Sequence, residues 1–322
     1  MKKFRKALAL SLSAMMMFGT LTGCGGGNGA KSSAADDGSR KIGVILKSLA
    51  NPFYVTMQEA IEDKGKELGV QIVLQAPEKE TDTEKQMQIM ENMITQQVDA
   101  IILTPNGSTE LAPAVKKCNN AGIPVIIVDT RLDETAMQES GATTVSFIGS
   151  DNYYGGQVAA EEMKNAIGSG KVAVLEGISG HESSVARVGG FTDKAKELGG
   201  LDIVASQPAD WDQEKGYTVF QNILQANPDI TGLFAANDLM ALGAVKAIED
   251  AGLTGKITVI GFDATDDAKE AIKAGKMLGS IAQSPADMGT TALETAIKYL
   301  DTNSCDEDIA VDVSMLSADK LG

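Results

Sequence analysis

Asp129 follows the run Pro124 to Val128, and Asp263 follows Val259 to Phe262. Lys47 follows a first run of the same kind, and Asn237 with Asp238 follows Leu233 to Ala236. A carboxylate accepts hydrogen bonds through two oxygens and Arg187 donates through a planar fork. Asn51, Asn237 and Gln283 both donate and accept, whereas Lys47 only donates. Phe53, Tyr54 and Trp211 add flat apolar faces to a chain in which aromatics make up only 4%. Bidentate charged groups beside flat rings suit a polyhydroxylated ring. Adjacent hydroxyls bridge a carboxylate or guanidinium, and the C–H faces pack on aromatics. Any one Asn or Asp after a strand could equally be a helix cap. Four such positions in register point to a shared cleft beyond the carboxyl ends of strands. Trp211 stands in the polar loop Ala209-Asp210-Trp211-Asp212, where a cleft wall and ordinary packing are both open readings.

Other chemistries lack their residues. The chain has no Gly-x-Ser-x-Gly elbow, no phosphate loop and no metal-binding run. His181 is the one histidine, beside Ser183 and Ser184 in a stretch from Gly177 that reads as a loop. Without a placed acid partner it reads as structural. Gly168-Ser169-Gly170-Lys171 reads as a helix stop and strand start. Cys118 and Cys305 are too far apart in sequence to make a disulfide framework and read as structural or incidental thiols. No metal, no cofactor and no catalysis are expected.

The elements that must position these residues alternate. Lys41 to Leu46 reads as a strand. Asn51-Pro52 then looks like an N-cap with Pro at the first helical position. Phe53, Met57, Ile61 and Leu68 mark a buried face, and Gly69 closes the helix. Gln71 to Leu74 is the next strand and Thr83 to Gln97 the next helix. Ala100 to Leu103, Pro124 to Val128 and Val145 to Ile148 continue the series. A second series runs through Lys171 to Leu175, Asp202 to Ala205, Thr231 to Ala235 and Ile257 to Ile260. Such βαβ alternation predicts an α/β fold of two parallel sheets, each covered by helices on both faces.

The N-terminus carries a separate message. Lys2, Lys3, Arg5 and Lys6 precede an apolar run from Ala7 to Leu21 that is too short for a comfortable membrane span. A charged start, a short apolar core and small residues describe an export signal. Leu21-Thr22-Gly23-Cys24 resembles a lipobox, so residues 1–23 are expected to be removed and Cys24 lipidated. Residues 24–39, rich in Gly, Ser and Ala, read as a flexible tether. Roughly 280 residues remain, enough for two compact lobes. The chain carries a net charge of −16, and loss of the basic leader makes it more acidic still. That argues against nucleic acid and anionic lipid as partners, leaving the anchor as the one membrane contact.

At this point the chain resembles the sugar-binding proteins of bacterial ABC importers, in their ribose/allose branch. The matching stretches are Leu46-Lys47-Ser48-Leu49-Ala50-Asn51-Pro52-Phe53-Tyr54, Pro124 to Asp129, and Ile148-Gly149-Ser150-Asp151-Asn152. Ser206-Gln207-Pro208-Ala209-Asp210-Trp211-Asp212 and Asn237-Asp238-Leu239-Met240-Ala241-Leu242-Gly243-Ala244 follow. Val259-Ile260-Gly261-Phe262-Asp263 and Ile281-Ala282-Gln283-Ser284-Pro285 complete the set. The resemblance implies two Rossmann-like lobes joined by three crossings, with residues 40–150 plus 284–312 in one and 151–283 plus 313–322 in the other. It places Asn51, Phe53, Tyr54, Asp129, Arg187, Trp211, Asn237, Phe262, Asp263 and Gln283 on sugar-contacting positions. Lys47 falls where allose-type members place a contacting lysine.

The resemblance also implies a monomeric receptor that delivers a monosaccharide to ABC permease subunits. Two departures leave the sugar open. Thr130 stands where ribose-binding members carry an arginine, with Arg131 one place later, and Trp211 replaces their phenylalanine. Phe262, in contrast, looks ribose-like. A sensor presenting sugar to a membrane receptor would use the same features. A lactose-repressor-type regulator shares the core but needs a DNA-binding headpiece where an export signal stands. A glycosidase would need two opposed carboxylates, which Asp129 and Asp263 mimic.

Overall fold

The computed structural model describes residues 39–321, so the expected leader, Cys24 and nearly all of the tether lie outside the described residues. The first series is β1 (Lys41–Ile45), α1 (Pro52–Leu68), β2 (Gln71–Gln75), α2 (Thr83–Thr95) and β3 (Ala100–Leu103). It continues with α3 (Ala112–Asn120), β4 (Val125–Val128), α4 (Glu134–Ser140) and β5 (Ser146–Ser150). The second series is α5 (Asn152–Ile167), β6 (Gly170–Glu176), α6 (Glu182–Leu198), β7 (Leu201–Pro208), α7 (Gln213–Ala226) and β8 (Ile230–Ala235). It runs on through α8 (Asp238–Asp250), β9 (Thr258–Asp263), α9 (Asp266–Lys273) and β10 (Gly279–Ala282). The chain then returns through α10 (Pro285–Thr302), β11 (Asp308–Val311) and β12 (Ser314–Ser317).

Two six-stranded sheets result, in the orders β11-β5-β4-β3-β1-β2 and β12-β10-β9-β8-β6-β7. β11 joins the first sheet in parallel beside β5, although it lies far down the chain. β12 lies antiparallel against β10, so the second sheet is not wholly parallel. Neither of these edge strands, nor β10, stands out in the sequence, because none of these four-residue strands carries a long apolar run.

Strand side chains alternate between two cores, as a period of two requires. Ile42, Val44 and Ile102 pack on one face of the first sheet, while Ile45, Ile101 and Leu103 pack on the other. In the second sheet Ala173 and Leu175 enter one core, and Val172 and Val174 the opposite one. Burying each such Ile or Leu contributes about 1.5–3 kcal/mol. Ile102→Ala would cost on the order of 2–5 kcal/mol, because both faces of the sheet are covered and little can collapse into the gap.

Local signals set the helix ends. The Asn51 carboxamide accepts from the Phe53 amide, Pro52 opens α1, and Gly69 ends it in the left-handed region at φ 66°. Leu68, expected on the buried face, is 41% exposed, because the face that docks runs through Phe53, Tyr54, Met57 and Ile61. α2 stops short of Gln97, whose φ of 54° breaks the helix. Ser183 and Ser184 are not loop residues: they lie in the first turn of α6, with His181 at its N-cap. Among the described residues, no helix is long and apolar enough to cross a membrane.

Candidate functional site

The polar residues singled out above stand at the carboxyl ends of strands from both sheets. Asp129 follows β4, Asp263 ends β9, Asn237 follows β8 and Lys47 follows β1. Nine of the eleven expected residues line one space: Lys47, Asn51, Phe53, Tyr54, Asp129, Arg187, Trp211, Asn237 and Asp263. Glu80 and Ser183 line it as well. Asp129 (φ 69°), Trp211 (φ 63°) and Asp263 (φ 106°) all hold left-handed backbone that side chains other than glycine rarely adopt. Such strain, of order 1–3 kcal/mol per residue, gathers at functional sites.

The first wall is built on Lys47 and Asp129. Three groups converge on one Asp129 oxygen, Oδ2. The Tyr54 hydroxyl donates to it at 3.1 Å, the Thr130 hydroxyl donates at 2.9 Å, and Lys47 Nζ lies 3.3 Å away. Lys47 is 2% exposed and also donates to Thr130 Oγ1 at 2.7 Å. Lys47 therefore brings a cation to Asp129 and Thr130. Arg131 turns outward instead. Its guanidinium lies 3.6 Å from the centre of the Phe147 ring and pairs with Asp308 at 2.7 Å. Burial pushes the Asp129 pKa up, but Lys47 and then Arg187 outweigh it, so the carboxyl sits below its ordinary value. Burial, reinforced by Asp129, lifts the Tyr54 phenol well above its own.

The second wall is built on Arg187 and Asp263. Arg187 Nε donates to Asn152 at 2.8 Å, and Nη1 donates to the Ala236 carbonyl at 2.8 Å and reaches Asp263 Oδ1 at 3.4 Å. α5 and α6 cross closely enough to bring Arg187 here because Gly156 faces the Arg187 backbone, where any Cβ would collide. The Phe262 ring lies 3.8 Å beneath the guanidinium. Gln283 donates to Asp263 Oδ1 at 2.7 Å. Phe262 and Gln283 thus stand behind the wall and hold Arg187 and Asp263, rather than lining the space. Burial, only partly offset by Arg187, pushes Asp263 up to about 8.

The two asparagines cap helices and also line the space. Asn237 Oδ1 accepts from the Met240 amide, and its Nδ2 donates to the Trp211 carbonyl at 3.4 Å. Trp211 is 6% exposed and donates to His181 Nδ1 at 3.4 Å, and its ring packs where Gly177 lacks a Cβ. His181 is a buried neutral imidazole, its pKa driven down to about 3 by burial and then by Lys47. The walls also meet directly: the Glu182 amide donates to Ser108 Oγ at 3.1 Å, and the Thr130 and Ser183 hydroxyls lie 3.3 Å apart. Among the described residues, no group of three or more His, Cys, Asp or Glu side chains could hold a metal ion. Cys118 and Cys305 are free thiols, and burial lifts Cys118 to about 11.

The residue the sequence reading missed is Glu80. It stands in Pro77-Glu78-Lys79-Glu80, beyond the carboxyl end of β2. The rule that found Asp129 and Asp263, a carboxylate beyond a strand end, applies to it equally. Two acids and a lysine share that short loop, and nothing local marks one of them as inward-facing.

The space offers donors and acceptors in pairs. Arg187 keeps Nη2 free of protein hydrogen bonds, and Asn51 and Asn237 each keep one amide hydrogen. Asp129 and Asp263 each have one oxygen tied to the protein and one left over. A vicinal diol, which donates and accepts from adjacent atoms, matches such an array.

The chain is similar to known proteins. A family profile described as periplasmic binding protein domain matches residues 42–304. The D-allose-binding periplasmic protein of Escherichia coli (strain K12) is 37% identical over 256 residues, 79% of this chain and 82% of that protein. The ribose import binding protein of Bacillus subtilis (strain 168) is 36% identical over 266 residues, 81% of this chain and 83% of that protein. An ABC transporter periplasmic solute binding protein from Actinobacillus succinogenes 130z, solved with bound D-allose, is similar with a TM-score of 0.84 at 40% identity. That match covers 88% of this chain and 99% of the other.

Proposed function

The chain belongs to the periplasmic binding protein family, and from that premise we propose that it is an extracytoplasmic receptor that captures a monosaccharide and delivers it, chemically unchanged, to an ABC permease. The observation that carries the reading is the buried pair of acid–cation couples, Lys47 with Asp129 and Arg187 with Asp263, facing one space from two different sheets. Each carboxylate is engaged on one oxygen, which suits hydroxyl acceptance. Relatives named for D-allose and ribose support the same ligand class.

In this proposal Lys47, Asn51, Asp129, Arg187, Asn237 and Asp263 hold hydroxyls, and Phe53, Tyr54 and Trp211 bound the ring. Phe262 and Gln283 position Arg187 and Asp263. The lobes comprise residues 40–150 plus 284–312 and 151–283 plus 313–322, with rotation absorbed near Ser150-Asp151 and Gln283-Ser284. A sugar touching both lobes favours the closed form by its differential affinity for it. Lipidation of Cys24 would tether the receptor to the outer face of the cell membrane, as Leu21-Thr22-Gly23-Cys24 favours.

Calorimetry against a panel containing D-allose, D-ribose and other neutral monosaccharides tests the reading. Saturable binding, a smaller radius of gyration with the bound sugar and recovery of that sugar intact by mass spectrometry are expected. Conversion of the sugar, or binding without compaction, would overturn it.

A further inference from the structure

Glu80 repeats the arrangement of the two cleft aspartates. One oxygen, Oε1, accepts from Asn51 Nδ2 at 2.9 Å, and the carboxyl lines the same space. The other oxygen, Oε2, has no hydrogen bond to the protein, just as one oxygen of Asp129 and one of Asp263 are left over. The Glu80 bond also fixes Asn51. The Asn51 carboxamide is then held at both ends, with Oδ1 on the Phe53 amide at 3.0 Å and Nδ2 on Glu80. Its one remaining amide hydrogen is aimed by that double hold.

Charge sharpens the point. Counting Glu80, the space is lined by three carboxyl groups and two cations, Lys47 and Arg187. Lys47 already lies beside Asp129, and Arg187 beside Asp263, so Glu80 has no cation of its own in contact. Burial raises its pKa, with Lys47 acting against that. An acid in this position is satisfied best by a ligand that donates to it. A structural tether for Asn51 would need only one oxygen, and would not require that the group line the space.

We propose that Glu80 is a specificity-determining residue of the ligand site: its free oxygen receives one ligand hydroxyl beyond those taken by Asp129 and Asp263, and its other oxygen positions Asn51. The inference rests on the receptor reading above. It makes the site selective for a fully hydroxylated monosaccharide over the analogue that lacks that one hydroxyl. A cleft polar group left unpaired by a deoxy ligand discriminates against it.

The test is a coupling measurement by calorimetry. Wild type, Glu80→Gln and Glu80→Ala are titrated with D-allose and D-ribose, and then with each monodeoxy analogue of whichever sugar binds. Glu80→Ala is expected to weaken the full sugar by about 10- to 100-fold, the range for losing a hydrogen bond to a charged group. Glu80→Gln, which keeps a hydrogen-bonding group there, should weaken it less. One deoxy analogue should bind wild type poorly, and Glu80→Ala should weaken that analogue no further. All other analogues should show additive losses. Equal losses for every analogue, or unchanged affinity in Glu80→Ala, would overturn the proposal while leaving the receptor reading intact. Failure of the wild type to bind either sugar or any other on the panel would overturn the receptor reading and the Glu80 proposal with it.

Discussion

Asp129 follows β4 of the first sheet and Asp263 ends β9 of the second, both with positive φ, both with buried side chains, both beside a cation. Their titration nevertheless moves in opposite directions, Asp129 downward and Asp263 up to about 8. Burial raises both. Around Asp129 it is outweighed by Lys47 and Arg187, with hydrogen bonds from Thr130 and Lys47 adding to them. Around Asp263 the one strong cation is Arg187, shared with the other wall, and the buried Asp238 carboxyl opposes it. Strand-end position fixes where an acid stands, and the supply of positive charge across the cleft fixes how readily it ionises. The aromatic residues differ in the same way: Tyr54 donates a hydrogen bond to its wall's acid, whereas Trp211 donates to His181 and leaves its acid to Gln283 and Arg187.

The largest expected effect breaks the second wall. Arg187→Ala leaves Asp263 without its cation and removes free guanidinium donors from the space. Truncating a buried, hydrogen-bonded cation costs about 2–5 kcal/mol, so affinity for the cognate sugar should fall by a hundredfold or more. Lys47→Met should cost less, because Arg187 still reaches Asp129 electrostatically. Calorimetry that finds Lys47→Met the more damaging change would invert the comparison.

A second experiment sharpens the contrast through pH. The Asp263 pKa in the folded protein lies above its unfolded value of 3.8, so its contribution to stability is present in full below that value and lost as pH rises through about 8. Replacing it by Asn should therefore look progressively more favourable, relative to wild type, from pH 4 to pH 8. The Asp129 pKa is depressed, so its contribution is present above 3.8 and lost as pH falls through the folded value. The deficit of Asp129→Asn should accordingly shrink only in acid. Each tenfold change in a carboxyl's proton affinity on folding is worth about 1.4 kcal/mol. That corresponds to a few degrees of melting temperature for a protein of this size, at about 2–4 °C per kcal/mol. Parallel pH profiles for the two Asn variants would remove the distinction.

The smallest effect tests the aromatic side of the second wall. A Cβ at Gly177 would collide with the Trp211 ring, so Gly177→Ala should push the ring toward the cleft. Overpacking of this kind costs about 1–3 kcal/mol. The sole tryptophan should report it as a shifted emission in the sugar-free protein together with weaker sugar binding. Unchanged emission would place the strain elsewhere than at the ring.

Short-range rules made much of this protein legible in its sequence. The alternation of apolar runs and amphipathic helices, the cap at Asn51-Pro52, the stop at Gly69, and acids and amides at strand ends all arise from interactions within a few residues. Those rules, joined to the family resemblance, were enough to single out nine residues that share the cleft. Contacts between distant segments decided the rest. β12 runs antiparallel because the chain returns to the edge of the second sheet, a choice no local period encodes. Phe262 lies beneath Arg187 instead of lining the space because α5 and α6 cross at Gly156. Glu80 enters the site, and Arg131 leaves it for Phe147 and Asp308, through neighbours that are distant in sequence. The split between Asp129 and Asp263 belongs to the same class. Residue type supplies the charge, but burial and the cations facing it from other elements set its free energy, and those exist only once the chain has folded.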